Sequence, residues 1–133
     1  MRTLFAALTL LTLAPSALHA QDCSSAASQT AMNQCADQAY RTTDAELHAA
    51  YKQITARLKD DRDASRLLLA AQRKWLAFRD AQCAFLASGS AQGSVYPLLV
   101  MQCREELTRT RVTEFKGYLH CAEGDLRCPV PAH

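Results

Sequence analysis

The sequence predicts an all-α fold, an antiparallel three-helix bundle stapled by disulfides. Three observations lead there. Apolar residues recur at helical spacing in three stretches, no stretch alternates with the two-residue rhythm of a strand, and six cysteines occur in a chain of only 133 residues.

Residues 1–20 read as a leader and not as part of that fold. Met1-Arg2 is a short positive start, and Leu4–Leu13 is an apolar run of signal-peptide length, too short to span a bilayer. Pro15 and Ser16 break the run before Leu18-His19-Ala20, so cleavage is expected after Ala20, leaving residues 21–133 as one domain. Cys23 follows Ala20-Gln21-Asp22, which lacks the small-residue–Cys junction of a bacterial lipoprotein signal. No later stretch is apolar enough to span. The expected product is a periplasmic or secreted bacterial protein, neither lipid-anchored nor inserted in a membrane. The formal net charge is +2, one unit of it from Arg2, and no Lys/Arg block exists, which argues against a nucleic-acid partner.

The first helix carries Ala36, Tyr40, Leu47, Tyr51, Ile54 and Leu58 in one narrow stripe at about 100° per residue. Thr43-Asp44-Ala45-Glu46 has capping-box form, leaving open that the helix restarts there. Asp60-Asp61-Arg62-Asp63 supplies a turn and an N-cap for the second helix. That helix lines up Leu68, Ala71, Trp75, Phe78, Gln82 and Phe85 on its expected core face, with Gln72, Arg79 and Cys83 at the edge and Arg73 and Asp80 pointing outward. Ser88–Ser94, reading SGSAQGS, is the clearest loop. The third helix aligns Tyr96, Leu99, Val100, Cys103, Leu107, Thr110, Glu114 and Tyr118.

An even number of cysteines in a short exported chain reads as disulfides. Cys83 and Cys103 lie at similar distances on either side of the Ser/Gly loop, so a bond between them staples the hairpin of helices two and three, contributing roughly 3 kcal/mol in the chain-entropy model. Cys35 points about 120° away from the apolar stripe of its helix, where an N-terminal arm carrying Cys23 can fold back onto it. Elimination then joins Cys121 to Cys128. A metal site using His120 and His133 is the rival reading, but there is no C-x-x-C pair and exported thiols oxidise. No metal or cofactor is expected.

The stretch AAQRKWLAFRDAQC, residues 70–83, holds the sole tryptophan and an Arg-Asp pair. Packing helix one against helix two through the Asp60–Asp63 turn brings Asp44 to Arg79. The Cys83–Cys103 register puts Arg111 beside Trp75, a favourable cation–aromatic contact, and Glu114 near Gln72. These residues read as framework. A catalytic site is not expected: the thiols are consumed, His48 beside Asp44 reads as a surface pair, Glu105-Glu106 imply no cleft, and no Gly-rich loop follows a strand.

The order of these segments resembles the LprI-type lysozyme-inhibitor-like family, small exported bacterial domains. The pattern Q-R-x-W-x-x-[FY]-R-D-x-x-C is met by Gln72, Arg73, Trp75, Phe78, Arg79, Asp80 and Cys83; C-x4-T-x2-R-x2-E-[LF] is met by Cys103, Thr108, Arg111, Glu114 and Phe115. The similarity runs from about Asp22 to Tyr118. His48 departs from the Asn usual at its position, and the lipoprotein cysteine of the family's namesake is absent. The resemblance implies inhibition of a lysozyme, a glycosidase whose cleft holds two carboxyl groups about 5 Å or more apart. A protruding, hydrogen-bonding loop suits such a cleft, which singles out Ser88, Gly89, Ser90, Gln92 and Ser94 as candidate partner-binding residues. The alternative is a structural or adaptor module that binds another envelope protein through its helix faces, with no effect on muramidases.

Overall fold

Ser28 opens α1 (Gln29–Arg57) by accepting a hydrogen bond from the Ala31 amide at 3.1 Å. The helix runs unbroken through Thr43-Asp44-Ala45-Glu46. The hydroxyl of Thr43 bonds back to the Ala39 carbonyl and across to Glu105, so it starts no new helix. Asp61 caps α2 (Arg62–Leu86) through the Ala64 amide at 2.9 Å, as the acidic turn predicts. A 3-10 turn at Ser88–Ser90 leads into α3 (Tyr96–Leu119), which carries Pro97 in its first turn. The computed structural model describes residues 23–130. The expected leader, its cleavage point and His133 lie outside the described residues. Among those residues there is no strand.

The three helices form the antiparallel bundle. α1 and α3 run parallel to each other and antiparallel to α2, and they pack side by side along most of their length. Leu47, Ala50, Ile54 and Leu58 mesh with Val112, Phe115 and Leu119, the fully buried Phe115 ring lying 6.2 Å from that of Tyr51. Burying side chains of this size stabilises by roughly 1.5–3 kcal/mol each, so this seam is the main apolar contribution to stability. A second cluster, Cys23, Ala36 and Leu98, closes the far end with Met32 and Val95.

The disulfides are Cys23–Cys35, Cys83–Cys103 and Cys121–Cys128, with Cα separations of 5.6, 5.5 and 5.8 Å, and no described cysteine is free. The last one returns the tail around Gly124, whose φ of 82° suits a residue without Cβ. The returning tail inserts Val130 into the main core, while Arg57 Nη1 donates to the Leu119 carbonyl at 2.8 Å and satisfies the end of α3.

Two faces differ from the periodicity. On α2, Phe78 and Phe85 are 54 and 76 % exposed and Ala71 and Gln82 are exposed as well, whereas Gln72, Arg79 and Cys83 are buried. Asp80, expected to point outward, is half-buried in ion pairs with Arg79 and Arg104. The helix is rotated by roughly a quarter turn from its apolar stripe. The cause is covalent and electrostatic: the bond from Cys83 to α3 and the partners of Arg79 fix which side turns inward. On α3, Thr110 and Glu114 are exposed, and Thr108, Val112, Phe115 and Leu119 are buried instead. This helix meets α1 along most of its length and α2 through Cys103, Thr108 and Arg111, so one stripe cannot describe it.

Non-reducing peptide mapping of the purified protein is expected to return these three pairs and no free thiol. Reduction should lower unfolding free energy by several kcal/mol, at about 2–5 kcal/mol for each native bridge in a small exported domain. A Cys83 peptide joined to Cys23 or Cys121 would contradict the packing of α2 on α3.

Candidate functional site

The residues of the Trp-Arg-Asp segment come together between all three helices. Arg79 of α2 has only 6 % of its side chain exposed. Its Nε donates to Asp80 Oδ1 at 3.0 Å, and its Nη1 reaches Asp44 Oδ1 of α1 and Thr108 Oγ1 of α3, both at 3.4 Å. The guanidinium lies 5.3 Å from the ring centres of both Tyr40 and Trp75. Arg104 Nε stands 3.2 Å from the same Asp80 oxygen without hydrogen-bond alignment, an ion pair by proximity.

A second guanidinium also lies near Trp75. Arg111 sits 5.8 Å from the indole and 4.5 Å from the Phe115 ring, while its Nε donates to Gln72 Oε1 at 3.3 Å and its Nη1 to Glu114 Oε2 at 2.7 Å. Each such contact is worth on the order of 1 kcal/mol, more where water is excluded. Trp75 is partly buried and packs at the edge of the core, with both guanidiniums near its ring. The donor Glu114 needs is Arg111, one turn away on its own helix.

Burial pushes the Tyr40 hydroxyl above the usual 10.0; the Arg79 charge opposes this and Asp44 adds to it. The chemistry of the cluster follows from its partners: the guanidiniums are tied to carboxylates and rings, and the cysteine beside them is in a disulfide. Its action is to lock helix register. Sequence reasoning joined Asp44 to Arg79 and Arg111 to Trp75, but missed Tyr40 over Arg79, the Arg104–Asp80 pair and the placement of Thr108. For Arg104 and Thr108 the Cys83–Cys103 register carried the signal, since it sets residues 79 and 80 opposite the turn containing 104–108. Glu105, which the sequence reading set aside as implying no cleft, is held by Thr43 at 3.1 Å and by Arg109. Among the described residues no group of three or more His, Cys, Asp and Glu side chains is placed to hold a metal.

The Ser88–Ser94 loop stands apart from this cluster, at the tip of the α2–α3 hairpin. It is a succession of tight turns, with Ser90 N to Ala87 O at 2.9 Å, Ala91 N to Ser88 O at 3.2 Å and Gly93 N to Ser90 O at 2.8 Å. Asn33 Nδ2 of α1 donates to the Ser94 carbonyl at 3.1 Å, and the Cys83–Cys103 bond closes the base. The hydroxyls of Ser88, Ser90 and Ser94 have no partner within the described residues, and Ser88, Gly89, Gln92 and Ser94 are exposed. A side chain added at Gly89 would meet nothing within 4 Å. No charged residue occurs between Asp80 and Arg104, so the loop presents only neutral donors and acceptors. His48 is exposed elsewhere, its Nδ1 3.5 Å from Asp44 Oδ2.

Arg79→Ala should lower unfolding free energy by about 3 kcal/mol, because Asp44 and Asp80 lose their shared cation; Trp75→Ala should cost a similar amount, about 3 kcal/mol. Denaturant titration measures both. Tyr40→Phe should be neutral at neutral pH, within about 0.5 kcal/mol, but it should change the alkaline limb. With its folded pKa raised, native Tyr40 keeps a proton that the unfolded chain releases near pH 10.0, so wild-type stability falls as pH rises through that range. The phenylalanine variant should lose part of that fall between about pH 9 and about pH 11.

The comparison with known proteins agrees with this framework. The family model described as lysozyme inhibitor LprI matches residues 20–115, which include all of α1 and α2, the loop and most of α3. An uncharacterized protein of Rhizobium meliloti (strain 1021) is 38 % identical over 138 residues, covering 92 % of this chain and 99 % of that protein. No solved structure matches. The match spans both halves of the motif that builds the Arg79 and Arg111 clusters, and the chain belongs to the LprI lysozyme inhibitor family.

Proposed function

We propose that this protein is exported to the bacterial periplasm, loses residues 1–20 after Ala20, and there inhibits a lysozyme through the Ser88–Ser94 loop. Membership of the lysozyme inhibitor family carries the reading. Three disulfides support an oxidising compartment, and no helix among the described residues is long and apolar enough to cross a membrane. The family match begins at residue 20, beside the proposed cleavage point.

The loop is assigned on its shape and chemistry. A sugar-binding cleft is lined with groups that exchange hydrogen bonds with hydroxyls, and three unpartnered serine hydroxyls offer the same chemistry. The turns and the disulfide at its base hold the loop in one conformation, so little ordering entropy is lost on docking. It brings no cation to the two carboxyl groups of the cleft; affinity has to come from hydrogen bonds and fit.

The mature protein should slow lysis of a peptidoglycan suspension by at least one lysozyme class. Changing Ser88, Ser90 and Ser94 together to Ala should weaken inhibition tenfold or more, the equivalent of about 1–3 kcal/mol for an unmatched buried hydrogen bond. Gly89→Tyr should also block docking by bulk, as its side chain enters open space in the free protein. Circular dichroism of both variants should match the parent. Full inhibition by both would move the surface elsewhere, first to the exposed side of α1 around His48 and Lys52. A parent that inhibits no lysozyme would favour an adaptor in the envelope.

A further inference from the structure

The outer face of α2 has the spacing of a coiled-coil seam with nothing on it. Leu67, Ala71, Lys74, Phe78, Ala81 and Phe85 follow one another at intervals of four and three residues, the alternation that keeps one face toward a partner helix. All six are exposed, Leu67, Phe78 and Phe85 at 61, 54 and 76 %. Beside them Ala70, Ala77 and Ala84 are exposed too, small enough for close approach of a second helix. Lys74 is the one charge on the strip.

We propose that this face is the interface of a homodimer in which two α2 helices pack antiparallel. The strip is complementary to itself in that direction. Centring the pair between Lys74 and Phe78 sets Leu67 against the second copy's Phe85, Ala71 against its Ala81, and Lys74 against its Phe78. Each large residue meets a large one, each small one a small one, and each ammonium meets an aromatic face. A two-fold axis repeats every contact, as an isologous interface requires. No other register brings both lysines onto phenylalanines while keeping the alanines opposite each other. In a parallel pair Lys74 would face its own copy, like charge against like.

The extent is adequate for reversible association. From Leu67 to Phe85 the helix rises about 27 Å. With the side-chain exposures above, the strip with its flanking alanines offers on the order of 600 Å² per copy, or about 1,200 Å² in total, the lower edge of stable specific interfaces. Dimerisation is therefore expected in the micromolar range.

Sedimentation velocity of the disulfide-intact protein from about 1 to about 200 µM provides the test, since a micromolar constant falls within that range. The expected result is a concentration-dependent shift from monomer to dimer. Phe78→Glu should leave a monomer throughout with unchanged circular dichroism, and Phe85→Glu at the open end of the strip gives the same readout should the first variant fold poorly. Lys74→Glu should weaken the dimer at least tenfold by placing a carboxylate on the phenylalanine face, whereas Lys74→Met should retain it. Leu126, fully exposed outside the strip, serves as control: Leu126→Glu should not alter association. A wild-type protein that stays monomeric over the whole range, or a dimer indifferent to both phenylalanine changes, would overturn the assignment.

Discussion

Arg79 sets the rotation and register of the three helices. A guanidinium with 6 % of its surface exposed is tolerated only when its charge and its donors are met. The groups that meet it come from every helix: Tyr40 and Asp44 from α1, Trp75 and Asp80 from α2, Thr108 from α3. Sliding any helix by one turn, or rotating α2 toward its apolar stripe, would leave a buried charge without partners. The network need not add much net stability, because taking ions from water offsets most of the attraction between them. Its effect is to make the alternatives costly.

Stability and specificity thus reside in different interfaces. α1 and α3 join through an apolar seam of leucine, isoleucine, valine and phenylalanine. α2 joins the pair differently, chiefly through a disulfide and two guanidiniums beside the tryptophan, with only Ala64 and Leu68 adding apolar contact to the seam. The apolar seam rewards contact over many near-equivalent arrangements. The polar contacts accept one. The disulfide at Cys83 acts in the same direction, fixing the hairpin near its loop while Arg79 fixes it one turn further along.

This division explains what the sequence made legible. The α1 stripe of Ala36, Leu47, Ile54 and Leu58 is buried as its period indicates, because α1 meets α3 through apolar surface. The cysteine pairs and the contacts of Arg79 with Asp44 and of Arg111 with Trp75 were also readable, since helical geometry plus one disulfide register constrains them. The inward face of α2 was legible only at Leu68 and Trp75, which pack against the core. Periodicity weighs apolar character, and by that measure Phe78 and Phe85 outrank Gln72 and Arg79 for the core. The deciding terms are pairwise and long-range, with partners 29 to 35 residues away, and no local window contains them. The α3 stripe failed at Thr110 and Glu114, which are exposed, for a related reason: α3 has two neighbours and spreads its buried residues over two faces. For the Ser/Gly loop, composition indicated a turn, whereas its unpartnered hydroxyls and its link to Asn33 are properties of the folded chain.

Turning the polar edge of α2 inward has a necessary consequence on the opposite side. A helix that spends its inner face on Gln72, Arg79 and Cys83 leaves its apolar side chains where water meets them, and Leu67, Phe78 and Phe85 are there. Exposed leucine and phenylalanine scattered singly would mean little. Set at heptad spacing on a helix held rigid by a disulfide and a buried ion network, they form a surface whose geometry is fixed before any partner arrives. The strip ends at Phe85, and the Ser88–Ser94 loop begins beyond it. In an antiparallel pair the two loops point away from opposite ends of the strip. Association through α2 and docking through the loop then use separate surfaces, and neither excludes the other.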